Sequence, residues 1–233
     1  MAERILMNEY RTLSKEPWTN IDLINENIYE WSVALIVLNP DSLYYGGYFK
    51  AKMTFKKEYP YVPPDFKFLR PLYHPNIYPD GRLCISILHA PGEDEQSGEL
   101  AAERWSPAQR VESVLLSILS LLDDAEVSSP ANVDAGVMLR NDIEGYKKMV
   151  KKDLEASKED IPPDYVMPTH HDAFKTVKND DFNMDDWADS DDEPDFGGSD
   201  SDEDMDHDWD ASGDEEEADD DDDEGDTKVE NKS

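Results

Sequence analysis

Apolar residues recur along the first half of the chain with two different periods. Ile5, Leu6, Tyr10 and Leu13 fall on one face of a short helix that should stop before Pro17. The period then drops to two. Trp31, Val33, Leu35 and Val37 alternate with their neighbours, and Phe49, Ala51, Met53 and Phe55 alternate with Lys50, Lys52, Thr54 and Lys56. Pro40-Asp41-Ser42 and Gly46-Gly47 supply the turn between these two strands, and a third strand covers about Phe66 to Leu69. The pattern is that of an antiparallel meander with one face buried and one wet.

Helical spacing returns in the second half. Ser106-Pro107-Ala108-Gln109 combines a capping serine, a proline at the first helical position and a glutamine three residues past the cap. Val111, Val114, Leu115, Ile118 and Leu122 follow at spacings of three and four, a stripe that packs on the sheet. A last helix runs from about Asp142 to Lys158, with Asn141 and Glu144 as its cap pair. The order predicts an α+β fold, a meander sheet flanked by helices, over residues 1–158.

Charge divides the rest. The formal net charge is −34, and 27 of the 56 acidic residues lie between Asp180 and Asp226, where no Lys or Arg occurs. Such a segment repels itself and holds too few apolar groups to offset the entropy of ordering, so 180–233 reads as a disordered acidic tail. The Ile161-Pro162-Pro163-Asp164 and Met167-Pro168 runs make 159–179 an extended linker. Phe182, Trp187, Phe196 and Trp209 interleave the acids as apolar anchors that a purely solubilising tail does not need. Nucleic acid is excluded as a partner by this charge, and a membrane by the lack of a long apolar run. One cysteine in 233 residues excludes an internal disulfide and points to a reducing compartment, cytoplasm or nucleus.

That cysteine, Cys84, ends the run His74-Pro75-Asn76-Ile77-Tyr78-Pro79-Asp80-Gly81-Arg82-Leu83 and is the chain's candidate nucleophile. No Cys/His cluster has metal-ligand spacing and no glycine-rich loop could cradle phosphate, so no metal or cofactor is expected. Tyr59-Pro60-Tyr61-Val62-Pro63-Pro64, His74-Pro75-Asn76, Gly81 three before Cys84, and Trp105-Ser106-Pro107-Ala108 together resemble the catalytic core of ubiquitin-conjugating enzymes. The longer stretch between Cys84 and Trp105, with its insertion from His89 to Glu103, and the acidic tail resemble the subfamily that works with cullin-RING ligases.

This resemblance implies that Cys84 takes ubiquitin as a thioester from an activating enzyme and passes it to lysine amines, building polyubiquitin for proteasomal degradation. It implies partners in ubiquitin, the activating enzyme, protein substrates and a ligase met through Arg4, Tyr61, Pro63, Ser106, Pro107 and Ala108. The tail would meet a basic cullin surface. Asn76 is either the oxyanion donor or a staple of its own loop, and Tyr78 either part of a lysine platform or aromatic packing. His74 reads as a hydrogen-bonded structural residue. Many members carry aspartates where this chain has Ser86 and Ser129. The acids of the insertion, Glu93, Asp94, Glu95, Glu99 and Glu103, are the expected replacements. Two other readings stand beside it: an acidic chaperone for basic proteins, and a conjugating enzyme for another ubiquitin-like modifier.

Overall fold

A computed structural model describes residues 1–92 and 99–174; the tail and Glu93, Asp94 and Glu95 lie outside them. Helix α1 (Ala2–Leu13) buries Leu6 and Leu13 and ends before Pro17, as its apolar spacing requires. Four strands follow: β1 (Thr19–Ile24), β2 (Asn27–Ile36), β3 (Tyr48–Thr54) and β4 (Asp65–Phe68). They form an antiparallel sheet in the order β1-β2-β3-β4. The meander is the expected one with a strand added at its edge. β1 pairs Ile21 with Val33 and Leu23 with Trp31, and turns into β2 through Asn25 and Glu26, both at positive φ. A single turn of left-handed backbone without glycine left no sequence signal for this hairpin.

The inner face carries Trp31, Val33, Leu35, Phe49, Ala51 and Met53 into one core. Helix α2 (Val111–Asp123) lays Val111, Val114, Leu115, Ile118 and Leu122 into the same core, the face its spacing predicted. Its start differs from the expected one. Ser106 does not cap a helix; Gln109 N–H bonds the Ser106 carbonyl at 3.0 Å in a turn, and α2 begins at Val111. The cap comes from far away in sequence: the Glu9 carboxylate accepts the Val111 amide at 2.7 Å, while Ser113 Oγ accepts that of Arg110 at 3.0 Å. A tertiary carboxylate at the helix N-terminus outcompetes the local serine.

Helices α3 (Val133–Asn141) and α4 (Ile143–Ser157) complete the fold. Asp142, rather than Asn141, caps α4, accepting the Gly145 amide at 2.9 Å. Asn132 caps α3 through the Ala135 amide.

Where the sequence reads a linker, residues 159–170 lie on the outer face of the sheet. Ile161, Tyr165 and Met167 pack against Ala34, Ile36, Leu38 and Tyr48. Arg70 holds the start of this strap through Asp160 at 3.1 Å, and His170 Nδ1 meets the Leu38 carbonyl at 2.9 Å. Both faces of the β2 C-terminal half are thereby buried. No helix among the described residues is long and apolar enough to cross a membrane.

Candidate active site

The segment between β4 and α2 is irregular, and backbone bonds fix it. Gly81 N–H closes a turn on the Tyr78 carbonyl at 2.8 Å, and Tyr78 N–H bonds the Arg82 carbonyl at 2.9 Å. Gly81 has φ +91°, and a Cβ there would collide with the Phe68 carbonyl oxygen, so the position requires glycine on two counts. Past the turn, the Cys84 amide donates to the Asn76 carbonyl at 2.9 Å. Asn76 and Cys84, eight positions apart in sequence, therefore face each other across a narrow loop.

Asn76 is 2% exposed and its side chain is held at both ends by one residue. Nδ2 donates to the Glu126 carbonyl and Oδ1 accepts the Glu126 amide, each at 2.9 Å. The expected staple thus exists, and it reaches across to the loop before α3. One of the two Nδ2 hydrogens is left over, so stapling does not use up the donor. The same loop is tied a second time by the Asn132 amide on the Pro75 carbonyl at 2.8 Å.

His74 is fully buried and structural. Its Nδ1 accepts the Asn76 amide at 3.1 Å, which requires the neutral ring. Burial pushes its pKa from 6.5 down to about 4, an effect that the Leu121 carbonyl only partly offsets, since it falls short of hydrogen-bond geometry with Nε2. A folded value below the unfolded one means that the unfolded chain takes up a proton first as pH falls. This contribution to stability is intact above pH 6.5, is lost between 6.5 and 4, and is flat below. Denaturant titrations at pH 7 and 4.5 should therefore show roughly 2–3 kcal/mol more acid destabilisation in the parent protein than in His74→Gln. Equal slopes would refute the buried neutral ring.

Cys84 is free and partly exposed. It opens on a cleft of about 350 Å³ whose walls include Asn76, Ser86, Glu99, Glu126 and Ser129. Ser129 is exposed on the lip. Ser86 Oγ donates to Glu99 Oε1 at 3.0 Å, so a carboxylate of the insertion does sit beside the position where the resemblance puts an aspartate. His89 Nδ1 meets both Glu99 oxygens at 2.8 Å, and Arg104 Nε lies 3.7 Å away. Burial pushes the Glu99 carboxyl up, but these bonds and charges outweigh it and hold it below its ordinary value. The insertion is closed at its base by the Trp105 amide on the His89 carbonyl, 3.1 Å. Glu103 borders the cleft and accepts the Leu100 amide at 3.1 Å.

Tyr78 stands apart from this cleft. Its ring lies under the Arg82 guanidinium, 5.3 Å from the ring centroid, a cation–π contact. Glu126 and Ser128, which the cleft includes, had no motif to mark them; the only signal was an acid two residues before a serine in a loop.

On the other side of the segment, the residues expected to meet a ligase gather. Trp105 Nε1 donates to the Pro60 carbonyl at 2.8 Å, joining the loop of Tyr61 and Pro63 to that of Ser106, Pro107 and Ala108. Tyr59 OH reaches Glu9 of α1, the helix that carries Arg4, at 2.8 Å. Tyr61 is 62% exposed, and Arg4, Pro107 and Ala108 are exposed too. Burial pushes the Glu9 carboxyl up, while the Val111 amide and the Tyr59 hydroxyl pull it back.

Among the described residues no group of three or more His, Cys, Asp or Glu could hold a metal ion. The family model of ubiquitin-conjugating enzymes matches residues 5–154. Over 210 residues the chain is 46% identical to the ubiquitin-conjugating enzyme E2-34 kDa of Saccharomyces cerevisiae, covering 85% of this chain and 71% of that protein. It is 45% identical over 161 residues to ubiquitin-conjugating enzyme E2 7 of Arabidopsis thaliana, covering 68% and 96%. With ubiquitin-conjugating enzyme E2 G2 of Homo sapiens it shares 46% over 159 residues, covering 67% and 96%.

Proposed function

Since the chain belongs to the ubiquitin-conjugating enzyme family, and its ubiquitin thioester transfer needs one accessible thiol, we propose that Cys84 is that thiol and that a cullin-RING ligase directs the transfer. The observation that carries the site is the partly exposed Cys84 thiol on a cleft, paired through its amide with Asn76. The Cys84 thiolate attacks the ubiquitin thioester carried by the activating enzyme; one C–S bond forms and the other breaks. A lysine amine then attacks the new thioester. The C–N bond forms, the C–S bond breaks, and Cys84 leaves as thiolate.

Two costs have to be met. At an ordinary pKa of about 10.4, roughly one lysine in a thousand is neutral near pH 7.4, a barrier of about 4 kcal/mol. A neighbouring carboxylate does not remove it, because opposite charge stabilises the ammonium; acids here orient the amine and receive its proton. The second cost is the oxyanion, for which the spare Asn76 hydrogen is the available donor. Ser129 stands on the lip where the acceptor approaches, and Glu99 and Glu103 border the same cleft.

The ligase reading is supported by the exposed Tyr61, Pro107 and Ala108 and the half-buried Pro63 at the joined loops, with Arg4 on α1. The 27 acids of 180–226 suit a basic cullin surface, and the product is polyubiquitin for proteasomal degradation in cytoplasm and nucleus, with cell-cycle proteins among the substrates. The test is chain building with a cullin-RING ligase at about 50 and 200 mM salt. The full chain should be faster at low salt and slow with added salt, as steered association does, and a chain ending at residue 179 should be slower and nearly salt-independent. Identical rates for the two chains at both salts would remove the cullin assignment.

A further inference from the structure

With Ser86 and Ser129 where aspartates are usual, the cleft still needs a negative charge for the incoming ammonium. Glu99 is a poor candidate for it, because its charge is already met. Ser86, His89 and Arg104 converge on the one carboxylate, which makes it the latch of the insertion rather than an open acceptor. Glu126 is differently placed. It lies on the wall of the same cleft and is exposed, and among the described residues that line the cleft there is no Lys, Arg or His.

Its position is fixed relative to the thiol by a short chain of bonds. Glu126 holds both ends of the Asn76 side chain at 2.9 Å, and the Asn76 carbonyl holds the Cys84 amide at 2.9 Å. Its own carboxylate is oriented by the Ser128 amide at 2.7 Å. We propose, resting on the assignment of Cys84 as the thioester carrier, that Glu126 is the carboxylate that receives and orients the attacking lysine ammonium. Hydrogen bonds from the Ser128 hydroxyl and amide hold this carboxyl below its ordinary pKa, so it is ionised wherever the enzyme works. A carboxylate accepts about four hydrogen bonds, which leaves sites for an ammonium beside those that Ser128 uses.

Glu126 does not lower the amine's pKa. It places the nitrogen in line with the thioester carbonyl; once a proton has left for water, the neutral amine attacks, the C–N bond forms, the nitrogen gives up its second proton to water, and the thiolate of Cys84 departs with its electron pair, leaving the amide. The charged contact forms only with a cationic acceptor, which gives the test.

Full-length protein is charged with ubiquitin, the activating enzyme is quenched, and single-turnover discharge is followed with free lysine and, separately, with hydroxylamine, which is mostly neutral near pH 7. In Glu126→Gln the amide oxygen still accepts from Ser128, so the loop keeps its tie while the charge is gone. Discharge to lysine should slow about tenfold, the size expected for one charge-assisted hydrogen bond, and the lysine concentration for half-maximal rate should rise. Discharge to hydroxylamine should be unchanged, and Glu126→Asp should recover part of the lysine rate. Unchanged discharge to lysine overturns the proposal. Equal slowing with both nucleophiles also overturns it, since that would be loss of the Asn76 clamp. Failure of the parent chain to form any thioester would instead defeat the reading of Cys84.

Discussion

Cys84→Ala is expected to abolish the ubiquitin adduct entirely, and Cys84→Ser to leave an adduct that thiols no longer cleave. The chain has one thiol, so nothing else in it can form a thioester. Serine keeps the shape and the backbone N–H hydrogen bond to the Asn76 carbonyl but offers a hydroxyl, which is far less acidic than a cysteine thiol. Its loading should be slower by orders of magnitude and its product an ester that persists under reducing conditions. Incubation with activating enzyme, ATP and ubiquitin, then electrophoresis with and without reductant, reads both. A parent chain that forms no reductant-sensitive adduct would overturn the assignment of Cys84.

The next largest effect should follow Asn76→Ala. Two hydrogen bonds between a buried amide and the Glu126 backbone disappear together, leaving the Glu126 groups to find water or nothing. Stability should fall by about 2–4 kcal/mol on that account. Transfer to lysine should fall further, by about 10²–10³-fold, because the spare hydrogen available to a developing oxyanion goes with the same side chain. Melting curves and single-turnover discharge on one preparation separate the losses. If discharge keeps the parent rate while the melting point drops, Asn76 is a staple alone.

How far the chain could be read before folding depended on where each contact partner lay. The α2 core stripe and the α1 face are periodic over a few turns and came through intact, because a helix repeats its own signal. The β1 hairpin did not, since Asn25-Glu26 is not the glycine-bearing turn that marks such a connection. The α2 start was misplaced for the opposite reason: Ser106 and Pro107 make a sound local cap, and Glu9, about a hundred positions away, supplies a better one.

At the site, the nearness of Cys84 to Asn76 was legible because both stand in one compact motif, and the Cys84 amide does meet the Asn76 carbonyl. Glu126 was not, since its link to Asn76 runs through backbone atoms that every residue type possesses. The covered outer face had left a trace that the alternating reading passed over. Val33-Ala34-Leu35-Ile36-Val37-Leu38 is apolar without interruption, which fits a strand buried on both sides.

The strap over that face alters where the chain can be divided. The Pro162-Pro163 pair invites a fusion joint or a protease site, since nothing in its composition suggests burial. A break there would strip Tyr165 and Met167 from Ala34, Ile36, Leu38 and Tyr48 and leave an oily stripe of sheet facing water. The self-sufficient piece of this molecule therefore extends through His170, and grafts intended to spare it belong beyond that residue.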